Sequence, residues 1–158
     1  LRIAQNPPDL HEHTRMFGAL DISVSGLIAQ RTRLTAIASN IANADAIVDE
    51  NGRLNPYKAR FVHLAPTGGQ DAFGNAQPAG VEVASITEDQ AEPRLVWDPD
   101  HPYAYPEGHP QAGFVPHPNV NPVIEQINAL SASRSYEANL AAADATKTMM
   151  SAALRLLA

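Results

Sequence analysis

Two heptad runs bracket the chain, and they constrain its fold more than anything between them. Leu20, Leu27, Leu34 and Ile41 fall seven apart, with Val24 and Ala38 four residues after Leu20 and Leu34. That is the spacing of a helix packing along another helix. From Phe17 to Asn43 there is no proline, and glycine occurs only at 18 and 26. A helix of about 26 residues, ~39 Å long, is expected there. Near the other end Ala129, Tyr136, Ala143, Met150 and Leu157 repeat at seven, with Ser133, Leu140, Lys147 and Leu154 interleaved. Arg31 interrupts the first seam once and Lys147 the second. Asn121 suits an N-cap and Pro122 a first helical position, and neither proline nor glycine follows Pro122.

The middle has a different grammar. YKARFVHL (57–64), VEVASI (81–86) and RLVW (94–97) alternate as short strands do. TGGQDAFGNAQPAG (67–80) carries turn and loop chemistry. Residues 93–122 hold eight of the thirteen prolines, with His-Pro at 101, 109 and 117. Proline fixes φ and removes a donor, so an extended, semi-rigid strap is expected. The fold class is therefore α+β. Long N- and C-terminal helices bracket a small β-rich domain with its strap. A compact insertion leaves and re-enters at one end, so the two helices should pair antiparallel as a coiled coil. The expected divisions are a disordered extension (1–15), a first helix (16–46), the middle domain (47–121) and a second helix (122–158). LRIAQNPPDLHEHTR (1–15) is polar and proline-broken, and Met16 reads as a natural start.

Charge narrows the function classes. Residues 45–121 carry eleven acids and four bases, whereas the two helical ends together are nearly neutral. No basic stripe for nucleic acid is visible, and the acidic middle reads as a solvated surface. There is no cysteine, which removes disulfides and thiol chemistry. No stretch approaches the ~20 apolar residues of a membrane span. No basic start with an apolar run marks a secretory signal.

Catalytic constellations are weak throughout. His101, His109 and His117 would have to converge to hold a metal, and each precedes a proline in a loop. A small metal-dependent enzyme built on that strap is the alternative from another class. Asp98 with Asp100, and Glu88 with Asp89, read as surface charge. Nucleophile elbows and phosphate loops are absent, so neither catalysis nor a cofactor is expected. SASRSYEAN (131–139) has no base for its serines, but Tyr136 and Arg134 are residue types that anchor interfaces. Nine alanines lie between 129 and 153, and small residues let further helices approach closely.

ASNIANADA (38–46) places Asn40 and Asn43 near the end of the first helix, where backbone carbonyls lack partners. Their amides are expected to satisfy such groups, within the chain and between chains. MFGALDISVSGLIAQRTRLTAIASNIANADA (16–46) resembles the N-terminal motif of bacterial flagellar rod and hook proteins. INALSASRSYEANLAAADATKTMMSAALRL (127–156) resembles the matching C-terminal motif. PYKARFVHL (56–64) and the short middle resemble a proximal-rod subunit more than a hook protein. Another proximal or distal rod position is the alternative within the family.

The resemblance implies a structural subunit that assembles helically through its terminal helices and transmits torque for motility. It implies copies of the chain and other rod subunits as partners, with an export-gate adaptor protein at the rod base. It also implies passage through the flagellar type III export apparatus without a cleaved signal, and a place in the basal body across the periplasm. On the first helix the residues expected at the assembly interface are Leu20, Val24, Leu27, Leu34, Ile37, Asn40, Ile41 and Asn43. On the second they are Arg134, Tyr136, Asn139, Leu140, Met150 and Leu154.

Overall fold

The computed structural model describes residues 10–70, 76–77 and 80–157. Helix α1 spans Leu10–Ala42 and helix α2 spans Pro122–Leu157. The two pack along each other, and the β segments lie between them in sequence. This is the α+β architecture expected. One boundary moves. Helix α1 begins at Leu10, so residues 10–15 are helical rather than part of a disordered extension. No proline or glycine interrupts LHEHTRMF, and nothing in that run stops a helix from propagating. The remainder of the expected extension, residues 1–9, lies outside the described residues.

The helix pair is antiparallel, and two contacts fix its register. Asn40 near the end of α1 bonds Glu125 in the first turn of α2. Fourteen residues back along α1, a Cβ on Gly26 would stand 2.6 Å from Asn139 Nδ2, fourteen residues forward along α2. Equal steps in opposite directions mean straight, opposed helices. The buried positions between them are Ser23, Gly26, Ala29, Ile37 and Asn40 on α1, with Glu125, Ala132 and Thr146 on α2. Ala132 is 0% exposed and Ala29 1%. The contact is lined by small and polar side chains, so the backbones run close together. Ser23 and Thr146 satisfy their hydroxyls on carbonyls of their own helices, Ala19 O and Ala142 O.

The expected seam is therefore out of phase on α1 and in one of its two rows on α2. Val24 follows Ser23, Leu27 follows Gly26, Ala38 follows Ile37 and Ile41 follows Asn40. On α2, Ser133 follows Ala132, Leu140 follows Asn139 and Lys147 follows Thr146. One residue is about 100° of rotation. Because the helices are antiparallel, the same one-residue rotation carries both bulky rows to the same flank of the pair. Leu20, Leu27, Leu34 and Ile41 are half-buried there, and Val24 is 42% exposed. Leu140 and Leu154 are exposed. The row Ala129, Tyr136, Ala143 and Met150 keeps to the side of α2 that faces α1 and is half-buried, whereas the other heptad rows mark a face of the pair and not its interior.

The middle is three antiparallel ribbons rather than one sheet. Strand β1 (Arg60–Pro66) pairs with β4 (Val81–Glu88), with a bulge between His63 and Leu64. Strands β2 (Gly69–Gln70) and β3 (Ala76–Gln77) form a short hairpin inside the segment expected to be loop throughout. Strands β5 (Arg94–Trp97) and β6 (Phe114–His117) form the third ribbon. The β1–β4 ribbon lies against α1. Ser25 Oγ accepts the Val81 N–H at 2.9 Å and donates to Ile22 O at 2.7 Å. A Cβ on Gly80 would stand 2.8 Å from Ser25 Cβ. Gly80→Val is thus expected to lift the start of β4 off α1 and cost about 1–3 kcal/mol. A lowered thermal unfolding midpoint is the readout.

The proline-rich strap is not a plain extended loop. HPYA (101–104) and HPQA (109–112) are two copies of one turn. In each the alanine N–H bonds the histidine carbonyl, at 2.9 and 3.0 Å. Each imidazole Nδ1 accepts the N–H two residues on, at 3.1 and 3.2 Å. Proline occupies the second turn position, where its fixed φ belongs. The third His-Pro ends β6. There Val115, Pro116 and Pro118 are fully buried, the reverse of a solvated strap. Pro116 is tolerated opposite Leu95 because every strand of a two-stranded ribbon has a free edge. Trp97 lies over Gly113, whose φ is +77° and whose Cβ would stand 2.6 Å from the indole. Phe114 meets the same indole edge-on at 5.0 Å.

Candidate assembly interface

The two asparagines of ASNIANADA do different things. Asn43 Nδ2 donates to Ser39 O at 2.8 Å, and the Asn43 N–H bonds the same carbonyl at 3.1 Å. This is a side chain closing the open end of α1. Asn40 is 1% exposed and uses every hydrogen-bonding site of its amide. Nδ2 donates to Arg60 O at 3.0 Å and to Glu125 Oε2 at 2.9 Å. Oδ1 accepts the Arg60 N–H at 2.8 Å and the Tyr57 hydroxyl at 3.0 Å. An amide with two donors and two acceptor sites is then saturated. The Asn40 side chain pairs with both backbone groups of Arg60, as a neighbouring strand would.

The knot extends outward. The Tyr57 oxygen lies 3.2 Å from Ser39 Oγ. Glu125 Oε1 accepts Asn128 Nδ2 at 3.0 Å. Asn121 Oδ1 caps α2, accepting the Val123 N–H at 3.0 Å. One side chain, Asn40, thus joins α1, the start of β1 and the first turn of α2. The Glu125 carboxylate also sits favourably at a helix N-terminus. Asn40 and Ile37 are buried by their own chain, so of the two roles expected of Asn40 the structure displays the one within the chain. Sequence reading missed Glu125, which is 85 residues away and, by hydropathy, belongs to a solvated surface. Its one signal was position: seven residues before Ala132, on the row facing α1.

The other expected interface residues are divided by the fold. Asn139 packs against the bare backbone at Gly26. Tyr136 falls level with Ala29 in the same register, and it is half-buried, as is Met150. Leu20, Leu27, Leu34 and Ile41 share the flank with Leu140 and Leu154, and Val24 is exposed further round, on the outer side of α1. Arg134 is exposed on the side of α2 turned away from α1, with Ile127 and Leu130. Both helices therefore carry exposed apolar side chains outside their mutual contact. Gly26→Leu is expected to wedge the pair apart, costing about 1–3 kcal/mol. Asn139→Gly should recover much of that loss, as a double-mutant cycle of thermal midpoints would reveal.

The strap histidines do not assemble. His101 and His109 each lock a turn, His109 stacks on Tyr105 at 4.4 Å, and His117 Nδ1 is buried without a partner. Among the described residues no three His, Asp or Glu side chains stand close enough to hold a metal ion. Nor is any described helix long and apolar enough to cross a membrane.

Comparison with known proteins finds the same family at both ends of the chain. The family model "Flagella basal body rod protein" matches residues 20–46. The model "Flagellar basal body rod FlgEFG protein C-terminal" matches residues 111–156. Full-length relatives join these two ends. The flagellar basal-body rod protein FlgC of Salmonella typhimurium is 40% identical over 141 residues, covering 89% of this chain and 97% of that protein. FlgC of Bacillus subtilis is 39% identical over 152 residues, with the same shares covered. FlgC of Borreliella burgdorferi is 35% identical over 151 residues, covering 90% of this chain and 97% of the relative. With 35–40% identity extending over about nine-tenths of its length, the chain belongs to the FlgC family of flagellar basal-body rod proteins.

Proposed function

We propose that this chain is a structural subunit of the proximal part of the rod. It assembles helically through α1 and α2 to build the shaft that transmits torque. The observation that carries this reading is the distribution of side chains around the helix pair. Apart from Ile37 and Glu125, the buried contact uses glycine, alanine, serine, threonine and asparagine. The exposed leucine, isoleucine and valine side chains of the two helices are on the flank and the outer faces. Gln30 Oε1, on the inner row, is buried without a partner, a cost of about 1–3 kcal/mol. Such a pair gains its main apolar burial from neighbours. Those neighbours are copies of the chain and other rod subunits, with an export-gate adaptor at the rod base. The subunit reaches them through the type III export apparatus without loss of a signal segment. The acidic middle lies outside the helices, facing solvent.

Removing the last ten residues, which include Met150 and Leu154, is expected to abolish incorporation into basal bodies and swimming. Immunoblots of isolated basal bodies and soft-agar motility read the result. Normal swimming in that truncation would refute the proposal.

A further inference from the structure

We infer that neighbouring copies meet through two unlike faces, the outer face of α1 on one copy and the outer face of α2 on the next. This rests on the rod-subunit reading and names the partner of each face. Val24, Ile28, Arg31, Thr35 and Ala38 follow one another at spacings of four and three, which is one stripe of a helix. All are exposed, Ile28 at 61%. The stripe borders an open groove of about 570 Å³ between α1 and the β1–β4 ribbon, whose walls include Ile28, Thr35 and Ile86. On α2 the opposite stripe is Ile127, Leu130, Arg134, Glu137, Ala138 and Ala141, again exposed throughout.

These stripes sit on opposite edges of a two-helix ribbon, so one molecule cannot bring its own pair together. A contact between two different patches of identical chains is heterologous, and it grows an open helical array unless the rotation closes. Charge selects the alignment. Side by side without displacement, Arg31 of one copy is level with Arg134 of the next. The intrachain register places those two residues at the same height. Like charges would then face each other. A slide of three residues, about 4.5 Å, replaces Arg134 by Glu137 and pairs opposite charges. Among the described residues the one ion pair is Arg60–Glu88, so Arg31 and Glu137 enter the contact uncommitted. The same slide brings Ala38 level with Leu130.

The chain has no native cysteine, so engineered pairs report cleanly. Basal bodies carrying the double variant Ala38→Cys, Leu130→Cys should give a ladder of crosslinked multimers on mild oxidation. Neither single variant should crosslink. Arg31→Glu and Glu137→Arg should each reduce incorporation to below about a tenth, as loss of a close desolvated ion pair would. Combining them should restore at least half of it. A single variant that crosslinks to itself overturns the heterologous contact in favour of a two-fold one. A crosslink to a subunit of different mass overturns the second copy as occupant. Assembled basal bodies with no crosslink, or no rescue in the charge swap, overturn the alignment. Absence of the wild-type chain from basal bodies would instead overturn the reading beneath it.

Discussion

Asn40→Asp will unfold the junction of the two helices although it changes the side chain by one atom group. The new carboxylate replaces Nδ2, which now donates to Glu125 Oε2 and Arg60 O. Two carboxylates would then face each other across about 3 Å of buried space, with Arg60 O left unpaired. Removing one partner from a buried charged hydrogen bond costs about 3–5 kcal/mol, before the added repulsion. That is a large share of a domain's ~5–15 kcal/mol total. Incorporation and swimming should be lost. Adding Glu125→Gln to the same chain should restore a substantial part, because the new amide can donate to the introduced carboxylate. Asn43→Asp is the control. The Asn43 side chain bonds Ser39 O at the helix end, and its replacement should cost no more than about 0.5–1.5 kcal/mol, the net worth of one hydrogen bond. Thermal unfolding followed by circular dichroism ranks the three.

The second large effect separates folding from assembly. Leu34→Glu with Leu140→Glu alters two residues on the flank, one half-buried and one 44% exposed. Unfolding of the isolated chain should shift little, since substitutions away from the core usually stay within about 0.5 kcal/mol. Assembly should fail completely, because two charges would have to be buried between chains without partners. Ala132→Leu inverts this pattern. Its site is fully buried between the helices, so the isolated chain itself should lose about 1–3 kcal/mol.

Periodicity located both helices, and the strands expected at 57–64, 81–86 and 94–97 overlap those observed at Arg60–Pro66, Val81–Glu88 and Arg94–Trp97, while the antiparallel pairing followed from a compact insertion that leaves and re-enters at one end. It misjudged the phase by one residue on α1 and in one row of α2, for a definite reason. Hydropathy ranks Leu27 above Gly26 and Leu140 above Asn139, but close helices favour the smaller neighbour. The bulky row therefore lies on the flank of the pair and not in its contact. The role of Asn40 was hidden differently. Its partners lie 17, 20 and 85 residues away, and no local pattern announces them. In the strap, His-Pro repeats were visible as stiff dipeptides. The imidazole acting as an acceptor for the second N–H on depends on side-chain rotation, which spacing does not encode.

The leucine flank of the helix pair, only partly covered within the chain, is expected to be fully covered in the assembled shaft. Single cysteines at Leu34 and Leu140, in a chain that has none of its own, measure this directly through their rate of maleimide labelling. Both should react readily in the free subunit and be blocked in isolated basal bodies. Equal labelling rates in the two preparations would contradict the account.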